Sequence, residues 1–330
     1  MGMGHVYRSL TFAKELMTNL GAKIYFLTKS SKNVIKKIED ENFTTIKLKN
    51  DDEIIDYVKK LGLHAVIIDN LDFNENILKK IKDTVKIVIV DNITSKNNIY
   101  ADIVINLYRS NFINKNFFDK NINTKFFCGP KYLMLRDEFD ILRKKKDLKP
   151  EIEDILLIFG GSDPSNHTSR VLEKLSSNIR VNVVLGPEFK HFEDLDQTLE
   201  KHGNKNVIIH NQPDNVAELM YNADLAITSP GLSMFEAVYL GTPVLVISQN
   251  SLQNHYYLPL NFEYLIEKSD IDHLENYLDD LSSLKTRNEI IKFFREKDIG
   301  VGKVEIIKYL SEIIDLKDIY KIMFENNKSM

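Results

Sequence analysis

The chain has 330 residues, and its 44 Lys and Arg residues stand against 48 Asp and Glu residues, giving a formal net charge of −4. A single hydrophobic core stops growing at roughly 250 to 300 residues, so this length predicts two domains. The acidic balance lacks the basic footprint of a nucleic-acid binder, so nucleic acid is excluded as a partner. The one cysteine, Cys128, excludes an intramolecular disulfide framework and is expected to fill a small apolar core position.

Membrane insertion is not expected, because no apolar run approaches the roughly 18 to 20 residues that span a bilayer. The N-terminus also lacks the charged and apolar regions of a signal peptide. These features predict a cytoplasmic protein without an integral membrane segment. A basic patch formed by folding is not visible in a sequence, so peripheral contact with a membrane stays open.

The chain opens on Gly2-Met3-Gly4-His5, followed by a predicted helix over 6–20 that Gly21 ends. No strand precedes this glycine loop. In a doubly wound sheet, such a loop joins the central first strand to the first helix. We therefore expect either that the reading frame begins about ten residues late or that the sheet has a vacant central position.

Short β-branched runs alternate with helical patterns along the first half and predict strands over 23–28, 65–69, 85–91 and 102–106. Because these runs lack an alternation of apolar and polar residues, they predict a parallel sheet covered on both faces by helices. The charged segment 143–150 ends in Pro150 and is typical of a linker. We place one domain over 1–146 and a second over 151–330.

The alternation restarts beyond this linker, with predicted strands over 154–159, 180–185, 207–210, 225–228 and 244–247. The second half is therefore expected to be another doubly wound domain. From 270 onward the pattern becomes helical and charged, without a strand signal.

The N-terminal glycines bring backbone close to a ligand and present the imidazole of His5 at a helix N-terminus. A protonated histidine is disfavoured beside the positive end of a helix. His5 is therefore expected to be neutral and able to act as a general base. The same spacing is compatible with a histidine that only caps its helix.

A second glycine cluster, Gly160-Gly161-Ser162, follows a predicted buried strand. Asp163 is then expected to be the N-cap of a helix with Pro164 at its first position. The N–H groups of the loop, the Ser162 hydroxyl and the helix dipole predict a diphosphate site. A tight turn with a good cap is the alternative.

A third cluster, Gly231-Leu232-Ser233, offers N–H groups to phosphate at another predicted helix start. Glu236 lies one turn further, where a carboxylate can accept both hydroxyls of a ribose. It would also favour the helix dipole without any ligand. The amides of Gln253 and Asn254 begin the next helix, where they either reach a sugar or only improve solubility.

Metal chemistry is not expected, although Asp194-Leu195-Asp196 has a spacing that some glycosyltransferases use for a divalent ion. This triplet falls in a predicted surface helix. Helix N-termini neutralise a leaving diphosphate without an ion. We therefore expect neither a metal nor a cofactor.

With these residues in view, the chain resembles the UDP-sugar hydrolases of pseudaminic acid biosynthesis, the PseG-like family, which is related to the lipid II glycosyltransferase. The resembling segments are 2–8, 129–139, 159–163 and 223–241. Of these, the Gly-x-x-Tyr-x-x-Leu-Arg-x-x-Phe segment that begins at Gly129 is the most family-specific. The resemblance implies the GT-B fold: two Rossmann-like domains that face a cleft.

The resemblance also assigns site residues. His5 matches the histidine that activates a water for attack on the anomeric carbon, with UDP as leaving group and inversion at that carbon. The nucleotide-binding positions are then Gly160, Gly161, Ser162, Gly231, Leu232, Ser233 and Glu236. The substrate-binding positions are Gly4, Arg8, Tyr132, Arg136, Gln253 and Asn254. One departure is Asp69-Asn70-Leu71, since family members often carry an aromatic residue two positions after the strand.

Three functions remain open on the sequence. The first is hydrolysis of a UDP-linked 2,4-diacetamido-2,4,6-trideoxy sugar in nonulosonic acid biosynthesis. The second is transfer of a sugar from UDP to an acceptor hydroxyl, since a fold does not separate these reactions. The third is a catalytically silent nucleotide-sugar-binding protein. In each case the expected partner is a UDP-sugar.

Overall fold

The computed structural model describes residues 3–69, 73–90, 95–107, 111–144, 146–202 and 206–314. These residues form two compact units. The N-terminal unit comprises the described residues of 9–134 and of 300–314, and the C-terminal unit comprises those of 135–299 and of 3–8. Each unit contains parallel β-strands with helices between them, as the sequence predicts.

The first part of the chain, up to the hairpin that closes the N-terminal sheet, alternates helices and strands. Its elements are α1 (Met3–Leu20), β1 (Tyr25–Thr28), α2 (Lys32–Asp40), β2 (Thr44–Lys47), α3 (Glu53–Leu61), β3 (Ala65–Ile68), α4 (Glu75–Ile81), β4 (Lys86–Val90), β5 (Ile103–Asn106), β6 (Lys115–Asp119) and β7 (Thr124–Cys128). Short 3₁₀ helices span Ser95–Tyr100 and Pro130–Tyr132.

The N-terminal unit contains two sheets. Strands β1 and β2 pair in parallel with each other, while a second sheet has the order β3-β4-β5-β7-β6. Within the described ranges, β1 and β3 each pair on one side only, and most of their apolar side chains are half-buried. The antiparallel hairpin of β6 and β7 was not predicted, so this sheet is mixed and not purely parallel.

Apolar side chains cover both faces of the five-stranded sheet, because successive residues of a strand point to opposite faces. Ile87 and Ile89 of β4 enter one core cluster and Val88 and Val90 the other. Cys128 is fully buried in the first cluster, as predicted. Helix α13 (Lys303–Ile313) packs into the second cluster and so belongs to this unit.

The C-terminal unit is a doubly wound domain. Its elements are α5 (Asp137–Leu142), β8 (Asp154–Ile158), α6 (His167–Leu172), β9 (Arg180–Leu185), α7 (Phe192–His202), β10 (Val207–Asn211), α8 (Val216–Asn222), β11 (Leu225–Thr228), α9 (Leu232–Tyr239), β12 (Val244–Ile247), α10 (Ser251–Tyr257), β13 (Leu265–Ile266), α11 (Leu274–Ser282) and α12 (Leu284–Arg295). All five strands predicted for this half are present. Its sheet has the parallel order β10-β9-β8-β11-β12-β13.

The compact units do not divide at the charged segment 143–150. The chain joins the C-terminal unit from Leu135, and Arg143 donates a hydrogen bond to the Tyr239 hydroxyl at 3.3 Å. The ammonium group of Lys146 donates to the carbonyl of Ala223 and to the Thr242 hydroxyl. Although these side chains are charged, they bind the segment to α9 and to the sheet.

The prediction that Gly4 and His5 lie on a glycine loop before the first helix was wrong. Helix α1 begins at Met3, so Gly4 and His5 lie in its first turn and not on a loop before it. Gly4 lacks a positive φ, and an added Cβ would meet no atom within 4 Å. A glycine costs a helix only about 1 kcal/mol relative to alanine, which is too little to stop it. At the other end Gly21, with φ of 62°, ends α1 as predicted.

Across the described residues, no helix is both long enough and apolar enough to cross a membrane.

Candidate functional site

The carboxyl ends of β8 and β11 lie side by side at the point where the strand order of the C-terminal sheet reverses. The chain builds the sheet outward from β8 to β10 on one side and then resumes at β11 on the other. In open α/β sheets, ligands bind at such a switch point, outside the carboxyl ends of the strands. Two predicted nucleotide-binding segments follow these strands directly: residues 159–166, the β8 loop, and residues 229–231, the β11 loop. The topology therefore favours one ligand site at this edge.

In the β8 loop, the carboxylate of Asp163 accepts hydrogen bonds from the backbone of helix α6. Its two oxygens accept the backbone N–H groups of His167 at 2.9 Å and Thr168 at 2.8 Å. Asp163 is buried and holds a positive φ of 42°. It therefore caps α6 from a turn that precedes the helix, and Pro164 lies in that turn. The expectation that Asp163 is the N-cap residue with Pro164 at the first helical position was wrong, because the helix begins only at His167.

Two other amides of the β8 loop remain available to an anion. Gly160 has a φ of 76°, which turns the chain directly after the strand. Among the described residues, the backbone N–H groups of Gly161 and Ser162 have no hydrogen-bond partner. A phosphate oxygen is a suitable acceptor for such a pair.

The N-terminus of helix α9, unlike that of α6, donates no capping hydrogen bond to a side chain of the described residues. Gly231 is its N-cap residue, with φ of 151°, and in the described part of the chain no side-chain cap is made there. Leu232 and Ser233 are the first two residues of the helix, and both are half-buried. Because the first N–H groups of a helix lack internal acceptors, this end carries a partial positive charge. Of the two helix starts that the sequence singled out, α9 is therefore the better anion site.

Gln249 fastens the β8 and β11 loops to each other. Its Nε2 donates to Asp163 Oδ1 at 3.1 Å and to Ser229 Oγ at 2.9 Å, and its Oε1 accepts the N–H of Ser165 at 3.1 Å. The Ser165 hydroxyl returns a bond to the Gln249 carbonyl at 2.7 Å. Gln249 was not predicted from the sequence, because it follows β12 and carries no motif of its own.

Gly186 was also missed. A Cβ atom at this position would lie 2.5 Å from the carbonyl oxygen of Gly160 and 2.5 Å from the Cα of Gly161. The turn after β9 therefore supports the backbone of the β8 loop at van der Waals distance, and only glycine fits there. A Gly-Pro pair directly after a predicted strand was the available signal.

Glu236 lies in α9, one turn after the helix N-terminus, and the residue is 2% exposed. Burial raises its pKa above the ordinary value, and the guanidinium of Arg136 opposes this shift. Nε of Arg136 lies 3.1 Å from Glu236 Oε1. The structure thus brings together two residues that the sequence analysis assigned to different parts of the substrate.

His5 and Arg8 lie one turn apart on α1, with Arg8 Nη2 3.1 Å from His5 Nδ1. Arginine is only a donor, so Nδ1 is the acceptor and a neutral imidazole carries its proton on Nε2. His5 is half-buried. The Nδ1 lone pair of His5 is therefore engaged by Arg8.

The amides of Gln253 and Asn254 are engaged within the protein. Gln253 accepts the N–H of Gln249 at 2.8 Å and donates to the carbonyl of Pro230 at 3.0 Å. Asn254 donates to Glu267 at 2.6 Å. Gln253 therefore helps to hold the β11 loop, and Asn254 ties α10 to the chain after β13.

Tyr132 belongs to the core of the N-terminal unit. Its ring is 3% exposed, and its hydroxyl donates to Glu305 at 2.9 Å. Burial, together with Glu305, raises the pKa of Tyr132 to about 12. An added Cβ on Gly302 would lie 2.5 Å from the tyrosine ring, so the side chain is enclosed. These contacts give Tyr132 a packing role beside helix α13.

The carboxylates of Asp194 and Asp196 do not converge on one point of α7. Leu195 is buried in α7 while Asp194 and Asp196 are exposed, and residues two apart on a helix point in different directions. Among the described residues, one carboxylate oxygen each of Glu153, Asp154 and Asp224 lies within 4.8 Å of the others. Lys149 already occupies that cluster, with its Nζ 2.8 Å from Glu153 and 3.4 Å from Asp224.

The missing aromatic residue after the strand ending at Asp69 concerns Leu71, which lies outside the described residues. Asp69 itself accepts a hydrogen bond from the Ser9 hydroxyl at 3.1 Å.

Comparison with known proteins identifies the fold. The model of glycosyl transferases group 1 matches residues 140–297. Among solved structures, UGT2 of Phytolacca americana is similar over 95% of this chain and 98% of its own, at 12% identity with a TM-score of 0.69. These likenesses show the GT-B fold, which confirms the expected fold.

Two curated relatives place the chain more closely. The uncharacterized protein MJ1062 of Methanocaldococcus jannaschii is 41% identical over 328 residues, which cover 97% of this chain and 65% of that protein. The chain thus spans less than two thirds of MJ1062. The spore coat polysaccharide biosynthesis protein SpsG of Bacillus subtilis is 30% identical over 75% of this chain and 74% of its own length. The chain belongs to the family of SpsG.

Proposed function

We propose that this protein hydrolyses a UDP-linked sugar, with the nucleotide held at the switch point of the C-terminal unit. One observation carries the proposal: the uncapped N-terminus of α9 stands one turn before a buried carboxylate, Glu236. A positive helix end followed by a hydroxyl acceptor suits a nucleoside diphosphate. The structure of Phytolacca americana UGT2, which shares the fold, is a complex with UDP-2fluoro-glucose.

Each part of the nucleotide has a group to meet in this proposal. The N–H groups of Leu232 and Ser233 bind the diphosphate, and those of Gly161 and Ser162 take a further phosphate oxygen. Glu236 accepts the two ribose hydroxyls. Because these N–H groups are preorganised, they stabilise the charge that develops on the departing diphosphate without an ion.

The reaction needs one proton acceptor, and His5 fills this role. His5 takes a proton from water while the water oxygen forms a bond to the anomeric carbon. The bond between this carbon and the β-phosphate oxygen breaks, and its electron pair leaves with UDP. Attack opposite the leaving group inverts the anomeric carbon. The arriving diphosphate attracts the guanidinium of Arg8, which frees Nδ1 of His5 for the water.

The proposed substrate is a UDP-linked 2,4-diacetamido-2,4,6-trideoxy sugar, and the proposed product feeds nonulosonic acid biosynthesis. The support is the resemblance of the segments around His5, Arg136 and Glu236 to the PseG-like hydrolases. The name of the SpsG relative, a polysaccharide biosynthesis protein, agrees with a role in the supply of sugars.

Transfer to an acceptor is the second candidate, and the match of residues 140–297 to glycosyl transferases group 1 favours it. The same site performs both reactions, since His5 would deprotonate a sugar hydroxyl in place of water. The two functions differ in their need for an acceptor.

Turnover without an acceptor tests the proposal. We expect UDP and free sugar in equal amounts when the protein is incubated with the UDP-sugar alone. His5→Ala should lower this turnover by roughly 10²-fold or more while the Kd for UDP stays unchanged. UDP release only on addition of an acceptor would select the transferase, and UDP binding without any turnover would favour a silent binding protein.

A further inference from the structure

Two aromatic rings hold the guanidinium of Arg136. Its central carbon lies 4.8 Å from the centroid of the Tyr7 ring and 4.8 Å from that of the Phe139 ring. Phe139 is fully buried. A planar guanidinium stacks on rings in this way, whereas the ammonium of a lysine does not. Arg136 is therefore fixed in place before any ligand arrives.

Two carboxylates face the edge of this guanidinium. Nε lies 3.1 Å from Glu236 Oε1, and Nη1 lies 2.8 Å from Glu138 Oε1. Glu236 is nearly inaccessible to solvent, while Glu138 is 36% exposed. One cation thus serves two anions, and the buried one depends on it more, because water does not stabilise its charge.

The Glu236 carboxylate keeps capacity for further donors. An ionised carboxylate offers about four lone-pair positions, and Arg136 Nε uses one of them. Burial and the neighbouring Glu138 both raise the pKa of Glu236, and Arg136 is the group that lowers it. Loss of the guanidinium would leave a buried carboxyl group beside a second acid.

We propose that Arg136 is a positioning residue that keeps the Glu236 carboxylate charged and oriented to accept both ribose hydroxyls. The inference rests on the proposed ribose-binding role of Glu236. Arg136 would thus affect nucleotide affinity through the Glu236 side chain and not by contact with the nucleotide. A protonated Glu236 would present a donor where a ribose hydroxyl needs an acceptor, so nucleotide affinity would fall.

The test is the Kd for UDP between pH 6 and pH 9, measured by calorimetry for the wild type, Arg136→Gln, Glu236→Gln and the double variant. Without Arg136, Glu236 takes up a proton at a higher pH than in the wild type. We therefore expect Arg136→Gln to bind UDP about tenfold more weakly at pH 6 than at pH 9. The wild type should show a smaller change over the same range.

The double variant separates an indirect role from a direct one. If Arg136 acts through Glu236, then adding Arg136→Gln to Glu236→Gln should lower the affinity little further. A loss by Arg136→Gln that is equal at every pH and persists in the Glu236→Gln background would overturn the inference, because Arg136 would then contact UDP itself or only support the fold. An unchanged Kd in Glu236→Gln would instead contradict the proposed ribose contact.

Arg143→Gln is the matched control. Arg143 follows α5 directly and stacks on the Tyr239 ring of α9 at 4.3 Å. Among the described residues, no buried carboxylate pairs with it. We expect its Kd for UDP, and the pH dependence of that Kd, to match the wild type. Arg136→Lys adds a second check, since a restored charge should flatten the pH profile even though the stacking is lost. A profile as steep as that of Arg136→Gln would contradict the inference.

Discussion

Asp163 and Glu236 are two buried carboxylates of one unit, and their partners give them different tasks. Asp163 accepts two backbone N–H groups of α6 and the amide of Gln249, so its oxygens serve the protein. Glu236 meets a single guanidinium and retains lone pairs. Both residues follow a glycine that comes after a strand, but Asp163 lies in the β8 loop and Glu236 lies within α9. They differ because Asp163 reaches backbone N–H groups, whereas Glu236 reaches the side chain of Arg136.

Gly186→Ala is predicted to disturb the β8 loop through steric contact alone. The new Cβ would lie 2.5 Å from backbone atoms of Gly160 and Gly161, which have no flexible side chain to move. We expect the free energy of unfolding to fall by about 1–3 kcal/mol and UDP binding to weaken, because the displaced backbone carries two of the proposed phosphate-binding N–H groups. Urea denaturation and calorimetry measure the two effects.

Gly62→Ala serves as the control for this substitution. Gly62 has φ of 57°, and an added Cβ there meets no atom within 4 Å. The strain of the left-handed backbone alone should lower stability by about 1 kcal/mol. UDP affinity should stay unchanged, since Gly62 belongs to the N-terminal unit. A Gly186→Ala protein with normal UDP affinity would contradict the support assigned to the turn after β9.

At the residue scale, the sequence predicted positions where glycine or a carboxylate follows a strand, and several of these meet at the switch point. It did not predict Gln249, because that side chain joins loops far apart in the chain and depends on how the strands are ordered. The ion pair of Arg136 and Glu236 joins residues 100 positions apart, so no local pattern indicates it.

The segment 143–150 shows at the scale of elements how a charged stretch can be part of a packed unit. Lys146 is its least expected member, because its ammonium group lies over the amino end of the C-terminal sheet and donates to Ala223 and Thr242. Burial lowers the pKa of Lys146 to about 8. The charge pattern of the sequence indicated a solvated linker, since it does not reveal which lysine finds buried acceptors.

The stability of the protein should therefore depend on pH through Lys146. Above pH 8 the folded protein releases this proton, while the unfolded chain keeps it until about pH 10.4. The unfolded state then binds more protons, so the wild type should gain stability relative to Lys146→Met between these values, by at most about 1.4 kcal/mol per pH unit. Below pH 8 the difference between the two proteins should be constant.

Urea denaturation of both proteins from pH 7 to pH 10 measures this difference. Lys144→Met, the same substitution at an exposed position of the segment, controls for the change in net charge. The free energy of unfolding of the wild type minus that of Lys146→Met should increase as the pH rises above 8. A difference that stays level or decreases would contradict the buried charge at Lys146.

Strands with strong apolar runs were predicted closely, and β9, β11 and β12 have the predicted bounds. Three of the four missed strands have weaker signals, whereas the fourth, β7, is buried between β5 and β6. β2 and β6 contain several exposed polar residues, and β13 has only two residues. β6 and β7 pair as an antiparallel hairpin, whereas the alternation of strands and helices favours parallel pairing. Local patterns thus identify buried strands better than edge strands.

At the scale of the whole molecule, length and alternation predicted two α/β units, and the comparisons confirm the GT-B fold. The division of the chain between the units was less accessible. Helix α13 packs with the N-terminal unit through Ile306, Ile307 and Leu310, although it is far from that unit in sequence. Its apolar face is visible in the sequence, but the sheet that it covers is not.

The most direct test of the account is the fate of oxygen when the protein cleaves a UDP-linked 2,4-diacetamido-2,4,6-trideoxy sugar in ¹⁸O-enriched water without an acceptor. Attack by water on the anomeric carbon leaves the phosphate oxygens untouched. We therefore predict release of UDP without ¹⁸O, detected by mass spectrometry, in an amount equal to the free sugar. UDP that carries ¹⁸O, or no UDP release until an acceptor is added, would contradict it.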